Sequence, residues 1–477
     1  MQDATPDQPE SDPATAQTNA AEGNPADTSP ASAEQIKAWL EDAVEQHQQG
    51  YLVKASEGYQ LVLQHDPRHS TALQLSGVIH CQMGDYLAAE HLVKQSLEID
   101  PNQPHTLSNL GNIYAEQERY EDSANAYERA RELQPENAQH SFHLGHVYSE
   151  INRNVDALNA YRQAVEQAPE EISYLTTLGR YESGLTLFED AEKHLNQALQ
   201  LDPNNTVAFD SLGKAFRAQN RIEDALQIYK RWLAAYPDHP VAEYFARVCG
   251  GETTDRASEK YVKVAFDSFA ANFDQTLQNL QYAVPELICQ KAQQWAAELA
   301  ASTKTAAEDS TTTKLAVVDL GCGTGLCGPL LRPLAEHLIG VDLSPNMLIM
   351  AKERQLYDEL IEAELTAYLQ DLSEPQDLLV SADTLNYIGD LASTFTAAAQ
   401  VLRPGGRMIF SLERQTDDQT SDHYQLSPSG RFLHSKAPVE AWLQQANLNV
   451  VSFDKEQLRT EGDDAVEGYI IVAEKPA

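Results

Sequence analysis

The chain has 477 residues, of which 72 are acidic and 34 basic, giving a formal net charge of −38. That length exceeds one ordinary domain and predicts two or three. So acidic a surface repels nucleic-acid phosphates and anionic membranes, which argues against both as partners, although acidity also serves plain solubility.

Residues 1–33 are rich in Ala, Pro, Asp, Glu, Gln, Thr and Ser and nearly free of large apolar side chains. Such a segment cannot offset its chain entropy by burial, so a disordered acidic tail is expected. A repeat follows. Pro67, Pro101, Pro135, Pro169, Pro203 and Pro237 stand 34 residues apart. Gly77, Gly111, Gly145, Gly179 and Gly213 keep the same step, as do Ala55, Ala89, Ser123, Ala157, Ala191 and Ala225. Tyr59, Tyr127, Tyr161 and Tyr229 add an aromatic position. This pattern resembles six tetratricopeptide repeats over residues 36–239. Each unit would be two antiparallel helices. Glycine and alanine let their backbones approach, and the proline stops the second helix. Stacked units bury each other's faces and leave a concave groove lined by the first helices. The register places Arg180, Lys214 and Arg217 on that groove. They are candidates to hold an acidic segment or free carboxyl terminus of a protein partner, the alternative being that they are solvated or paired with nearby carboxylates. Residues 240–257 predict a capping helix and a linker, with Gly250-Gly251 as the break.

From Ser258 to Leu280, Val262, Phe266, Phe269, Phe273, Leu277 and Leu280 recur at steps of three and four. The spacing predicts one amphipathic helix whose aromatic stripe packs in a core or closes over a cleft. Residues 301–313 form a polar loop. Strands then alternate with helices: Leu315–Leu320, a helix from Gly328, Leu338–Asp342, a helix from Pro345, then strands at Leu365–Gln370 and Leu378–Ser381. A helix near Leu391–Leu402, a strand at Arg407–Leu412, a helix at Pro438–Gln445 and strands at Val450–Phe453 and Gly468–Val472 complete the series. Such alternation implies an α/β domain with a mostly parallel sheet.

The first of these strands ends in Asp319-Leu320-Gly321-Cys322-Gly323-Thr324-Gly325, and Asp342 ends the second, 21 residues after Gly321. Both would stop at the carboxyl edge of the sheet, where open α/β sheets bind ligands. A dinucleotide enzyme would show G-x-G-x-x-G, whereas this loop reads G-x-G-x-G with a carboxylate beside it, which suits a cationic ligand better. On these residues the segment resembles the first motif of class I S-adenosylmethionine-dependent methyltransferases. The resemblance implies a Rossmann-like sheet of seven strands with a terminal antiparallel hairpin over residues 258–477, and S-adenosylmethionine as cofactor. It further implies contacts from Asp319, Gly321, Gly323, Gly325 and Asp342, with Leu343 and Met347 flanking the adenine or packing in the core. By the same resemblance Asp371-Leu372 follows the third strand, Asp371 accepting from the adenine amino group. With Phe266-Asp267-Ser268-Phe269 and Ser429-Gly430-Arg431-Phe432-Leu433-His434, the chain over residues 36–477 is similar to bacterial predicted methyltransferases that carry tetratricopeptide repeats.

Methyl transfer from a sulfonium is a displacement, so the protein chiefly aligns the reactants, and a base is needed only for a protonated acceptor. Asp383 and Tyr387 stand after the fourth strand, near the expected methyl position. His434 has an ordinary pKa near neutrality and is the further candidate. Glu413, Tyr424 and Arg431 share that region. Thr384-Leu385-Asn386-Tyr387 departs from the N-P-P-Y of amine-methylating families, so that activity is not supported. The five cysteines, Cys81, Cys249, Cys289, Cys322 and Cys327, lack metal-ligand spacing, so no metal is expected and a reduced compartment is. With no signal peptide or spanning apolar run, the expected location is cytoplasmic. The expected activity is methylation of a protein recruited by the repeats. The alternatives are a small-molecule methyltransferase whose repeats mediate assembly, and a non-catalytic scaffold that retains the cofactor fold.

Overall fold

The computed structural model describes residues 31–252, 254–303, 314–415, 423–461 and 464–477. All but the last three residues of the predicted acidic tail lie outside the described residues, as does most of the predicted loop at 301–313. Two compact units divide the chain, Met1–Pro169 and Glu170–Ala477.

Among its described residues the first unit holds four helix pairs: α1 (Ala33–Gln48) with α2 (Leu52–His65), α3 (Ser70–Gln82) with α4 (Tyr86–Ile99), α5 (Pro104–Glu116) with α6 (Tyr120–Leu133), and α7 (Ala138–Glu150) with α8 (Asn154–Gln167). The 34-residue period has a direct packing cause. Gly145 on α7 lies against the ring of Tyr161 on α8, and a Cβ there would come within 2.4 Å of it. Ala55, Ala89 and Ala157 on the second helices are fully buried, because only a small side chain lets the paired backbones approach.

The second unit opens with the same motif: α9 (Ile172–Gly184) with α10 (Phe188–Leu201), α11 (Thr206–Ala218) with α12 (Ile222–Ala235), and then α13 (Pro240–Cys249). Next come α14 (Glu259–Phe269), a 3-10 turn at Ala270–Asn272, α15 (Phe273–Asn279) and the long α16 (Val284–Thr303). The aromatic stripe of residues 258–280 is therefore not one continuous helix.

A seven-stranded sheet follows, built from β1 (Leu315–Leu320), β2 (Ala335–Asp342), β3 (Glu359–Glu362), β4 (Gln376–Ser381), β5 (Leu402–Glu413), β8 (Asn449–Glu461) and β9 (Asp464–Glu474). Its order is β3-β2-β1-β4-β5-β9-β8. β1 to β5 run parallel, β9 is antiparallel to β5, and β8 is antiparallel to β9. A separate hairpin joins β6 (Tyr424–Leu426) to β7 (Phe432–His434). The crossovers carry α17 (Gly328–Leu331), α18 (Pro345–Glu353), α19 (Leu365–Asp371), α20 (Ala392–Val401) and α21 (Lys436–Gln445). Both sheet faces are covered. Val318, Leu320 and Phe410 pack against α19, α20 and α21, while Val317, Leu378 and Ile409 pack against α16 and α17. Near-continuous apolar strands are the signature of a sheet buried on both sides. The fold is thus a helical repeat series followed by a Rossmann-like α/β domain, and no described helix is long and apolar enough to cross a membrane.

One predicted strand is a helix. Leu365–Gln370 falls within α19, and the third strand is the short edge segment Glu359–Glu362. Leu365, Tyr368 and Leu369 recur at a helical spacing, and the Glu364 side chain caps the helix by accepting from Ala367 N at 2.8 Å.

Candidate active site

The backbone makes the first part of the site. Gly321, Gly323 and Gly325 adopt φ of +72°, +54° and +86°, a region that side chains with a Cβ rarely enter. At Gly321 space forbids a side chain as well, since a Cβ would lie 2.1 Å from Thr384 Oγ1. The loop is tied to the neighbouring strand: Gly321 N and Cys322 N both donate to Val341 O, at 2.7 and 3.0 Å. Asp342 then organises it, accepting from Gly323 N at 2.9 Å through Oδ2 and from Ser344 N at 2.8 Å through Oδ1. Burial raises the Asp342 carboxyl above its usual range, and these backbone N–H groups oppose the rise.

Asp319 sits deeper, 1% exposed. Its Oδ2 accepts from Tyr357 Oη at 2.8 Å, and among the described residues its Oδ1 has no hydrogen-bond partner. Burial pushes its carboxyl up to about 7, the Tyr357 hydroxyl opposing and Asp342 adding to the rise. A buried carboxylate oxygen without a donor is costly unless a ligand supplies one.

A cavity of about 950 Å³ opens on this edge. Gly321, Gly323, Asp342, Leu343, Glu364, Asp383, Thr384 and Tyr387 line it from the ends of β1 to β4. Val262, Phe266, Phe269, Phe273, Leu277 and Leu280 line it from the broken helix above. None of these six is fully buried, so the stripe faces the cavity and is not sealed in a core. Two acids latch that helix down. Asp267 accepts from Ser344 Oγ at 2.6 Å and Asn346 N at 3.3 Å, and Asp274 accepts from Thr324 Oγ1 and Arg354.

Comparison with known proteins separates the same two parts of the chain. Residues 318–410 match the family described as methyltransferase domain, and residues 72–136, 108–172 and 176–240 match tetratricopeptide repeat families. The chain is a methyltransferase-domain protein with tetratricopeptide repeats. It is similar to the biotin biosynthesis bifunctional protein BioHC of Saccharophagus degradans, 36% identical over 98 residues that are 20% of this chain and 18% of that one. It is also similar to the ubiquinone biosynthesis O-methyltransferase of Hydrogenovibrio crunogenus, 29% identical over 149 residues, covering 28% of this chain and 61% of that one. The chain therefore spans less than two thirds of these relatives. Among solved structures, YrrB, a tetratricopeptide repeat protein with an unusual peptide-binding site, overlays with a TM-score of 0.36 at 19% identity, covering 40% of this chain and 97% of that one.

Within the methyltransferase domain, the predicted residues separate by position. Gly321, Gly323, Asp342 and Leu343 line the large cavity, and Asp319 lines a small adjoining one of about 40 Å³. Gly325 faces Tyr357, whose Cε2 lies 3.0 Å from where a Cβ would stand. Met347 is fully buried and does not line the cavity, its backbone N held by Ser344 Oγ at 3.1 Å. Asp371 is misplaced by the sequence reading, because it ends α19 as an exposed residue, and Leu372 packs on the core behind it. The acid that reaches the cavity after the third strand is Glu364, which Arg256 pairs at 2.7 Å.

Asp383 and Tyr387 line the cavity, and His434 does not. His434 is fully buried on β7, with Nε2 3.1 Å from Gly389 O. Burial pulls its pKa down to about 4, so it is a neutral packing residue at physiological pH, and its candidacy as a base fails on position. Asp383, at φ +60°, belongs to a buried charge cluster. Its carboxylate accepts from Asn386 Nδ2 at 2.5 Å and from Arg459 Nη1 at 3.4 Å. Arg459, 2% exposed, also binds Glu413 at 2.7 Å and Glu461 at 2.7 Å, and Arg431 binds Glu413 at 3.0 Å. Tyr424 is engaged elsewhere, donating to Asp255 at 2.6 Å. Arg431 also reaches Tyr387 Oη at 3.5 Å, and the Tyr387 ring stands edge-on to Phe266 with centroids 5.4 Å apart.

Arg180, Lys214 and Arg217 line this same cavity from the repeat helices α9 and α11. Arg217 is already committed. It donates to Tyr229 Oη at 3.0 Å and to Pro428 O, and its guanidinium lies 3.7 Å from the centre of the Phe245 ring. Sequence reasoning missed Tyr357, Thr384 and Glu364. Only the third carried a local signal, an acidic residue two positions past a short Leu-Ile strand.

Proposed function

We propose that the second unit binds S-adenosylmethionine at the Gly321–Gly325 loop and transfers its methyl group to an acceptor, a cytoplasmic protein recruited by the repeats. On this reading the repeats over residues 36–239 form the recruiting arm and residues 258–477 the catalytic domain. The observation that carries it is the pairing of a glycine cradle, which a Cβ would fill, with two acids, half-buried Asp342 and buried Asp319, the second bearing an orphaned oxygen. That donor set fits a ligand carrying positive charge and ribose hydroxyls, and it does not fit a pyrophosphate. Asp319 and the loop backbone would hold the amino-acid end, Asp342 the ribose, and Leu343 with Glu364 the adenine side.

When bound, the cofactor supplies a methyl group on a good leaving group, so alignment is the protein's main task. Tyr387 and Thr384 shape the wall where an acceptor would lie, and Phe266, Phe269 and Phe273 exclude water above it. Asp383 is spent on Asn386 and Arg459 and serves to fix this wall. The matched family and the relatives named as methyltransferases support the reading. Titration calorimetry of the full chain with S-adenosylmethionine tests it, with binding expected in the micromolar range, about −8 kcal/mol. Absence of binding would leave a scaffold with a retained fold. Incubation of lysate with methyl-labelled cofactor then reads the acceptor class, and label in protein is the expected result.

A further inference from the structure

We propose that the acceptor is an acidic peptide segment whose carboxylates seat on Arg180 and Lys214, inside the cavity that also holds the glycine loop. The proposal rests on the methyl-transfer reading and makes the last two repeats part of the active site as well as a recruiting arm.

The cavity is continuous from the repeat helices to the sheet edge, since Arg180, Lys214 and Phe245 line it together with Gly321 and Asp342. At about 950 Å³ it stands at the upper end for small-molecule pockets, leaving room for a cofactor and part of a second ligand. Its two ends differ in charge. At the sheet edge Glu364, Asp383 and Glu461 are paired with Arg256 and Arg459 and Asp342 has no cationic partner among the described residues, whereas Arg180, Lys214 and Arg217 stand at the repeat end with Asp210. Lys214 is balanced by Asp210 at 2.6 Å. Arg180 and Arg217 have no carboxylate partner among the described residues, so the repeat end keeps a net positive charge in a chain of net charge −38.

Register shows that the cations are specific to this end. Arg180 and Lys214 occupy the same position of consecutive repeats, and the residues one, two and three steps earlier are His146, Asn112 and Val78. Arginine or lysine thus appears at this position only in the two repeats whose helices wall the cavity. Exposure sets the direction of entry. Arg180 and Lys214 are exposed, whereas Asp342, Asp383 and Thr384 are half-buried, so a ligand reaching both ends must run inward from solvent. A flexible peptide segment meets that requirement, with carboxylates on the cations and a residue at Tyr387. Val262 and Phe269 line the same cavity and are only half-buried, so they offer apolar wall to its body.

The test uses the full chain saturated with S-adenosylhomocysteine. Fluorescence anisotropy follows a labelled hexaglutamate peptide, its hexaglutamine counterpart and competition by citrate. The acidic peptide is expected to bind at least tenfold more tightly than the glutamine one. Charge reversal in R180E/K214E should weaken it at least tenfold, and R180K/K214R should retain it. Arg180 and Lys214 are exposed, so both pairs should leave the melting temperature of the protein unchanged. No peptide binding, equal binding of the glutamine peptide, or indifference to charge reversal would each overturn the proposal. Binding of citrate alone would also overturn it and assign the site to small acids. Failure of the cofactor to bind wild-type protein strikes the methyl-transfer reading, while the peptide measurements still report on the cations.

Discussion

Asp319 shows how burial sets the charge state of one residue in the candidate site. In the free protein its carboxyl is raised to about 7, first by desolvation. Its folded pKa lies above the unfolded one of about 3.9, so the folded state holds the extra proton between these values. Stability from this group is therefore greatest at low pH and falls as pH rises through that window. A cationic ligand favours the carboxylate, so binding should release a proton below pH 7, and affinity should rise with pH and level off above it. Calorimetry in buffers of different ionisation enthalpy reads that proton directly. Asp319→Asn should abolish the release and weaken binding by about 1.5–3 kcal/mol, the loss of one charge-assisted hydrogen bond. Asp319 was legible in the sequence because an acid two positions before a glycine loop has few other uses. His434 was misleading because its usual pKa says nothing about the buried strand it sits on.

At the scale of elements, the broken helix of residues 259–279 lines the cavity with its apolar stripe. Its apolar stripe was legible from spacing, but its break at Ala270–Asn272 was not, and neither was its attachment through Asp267 and Asp274 to Ser344, Asn346, Thr324 and Arg354. Those partners lie 50 to 80 residues away in the chain, beyond the reach of any local pattern. Removing both latches in D267A/D274A should loosen the helix over the cavity without disturbing the sheet core. Hydrogen exchange should show lost protection over residues 259–279 and retained protection in β1 and β4, and stopped-flow measurement should show cofactor release at least several-fold faster. Unchanged exchange would mean that packing of the phenylalanines alone holds the helix. The misread third strand belongs to this scale too, since Glu359–Glu362 has only two apolar residues and is recognisable as a strand only by its pairing with β2.

For the molecule as a whole, the compact units divide at Pro169, inside the repeat series. Contacts within the second unit join its repeat helices to the α/β domain. Tyr244 stacks on Tyr261 with centroids 4.0 Å apart and donates to Gly430 O at 2.8 Å, while Arg217 holds Pro428 O. A fragment beginning at residue 258 strips these contacts, one beginning at residue 170 keeps them, and calorimetric melting separates the two. The shorter fragment should lose roughly 3 kcal/mol, or about 6–12 °C in Tm. Equal melting temperatures would show that the repeats contribute nothing to the fold of the sheet. The sequence alone determined the repeat period, the parallel α/β pattern and the glycine loop with its two acids, because helix packing, strand burial and backbone conformation each impose a short-range pattern on residue type. Tertiary structure alone decided that the last two repeats wall the cavity, that Glu364 and not Asp371 reaches it, and that His434 is buried away from it. Those outcomes depend on which distant surfaces meet, and no spacing along the chain encodes that.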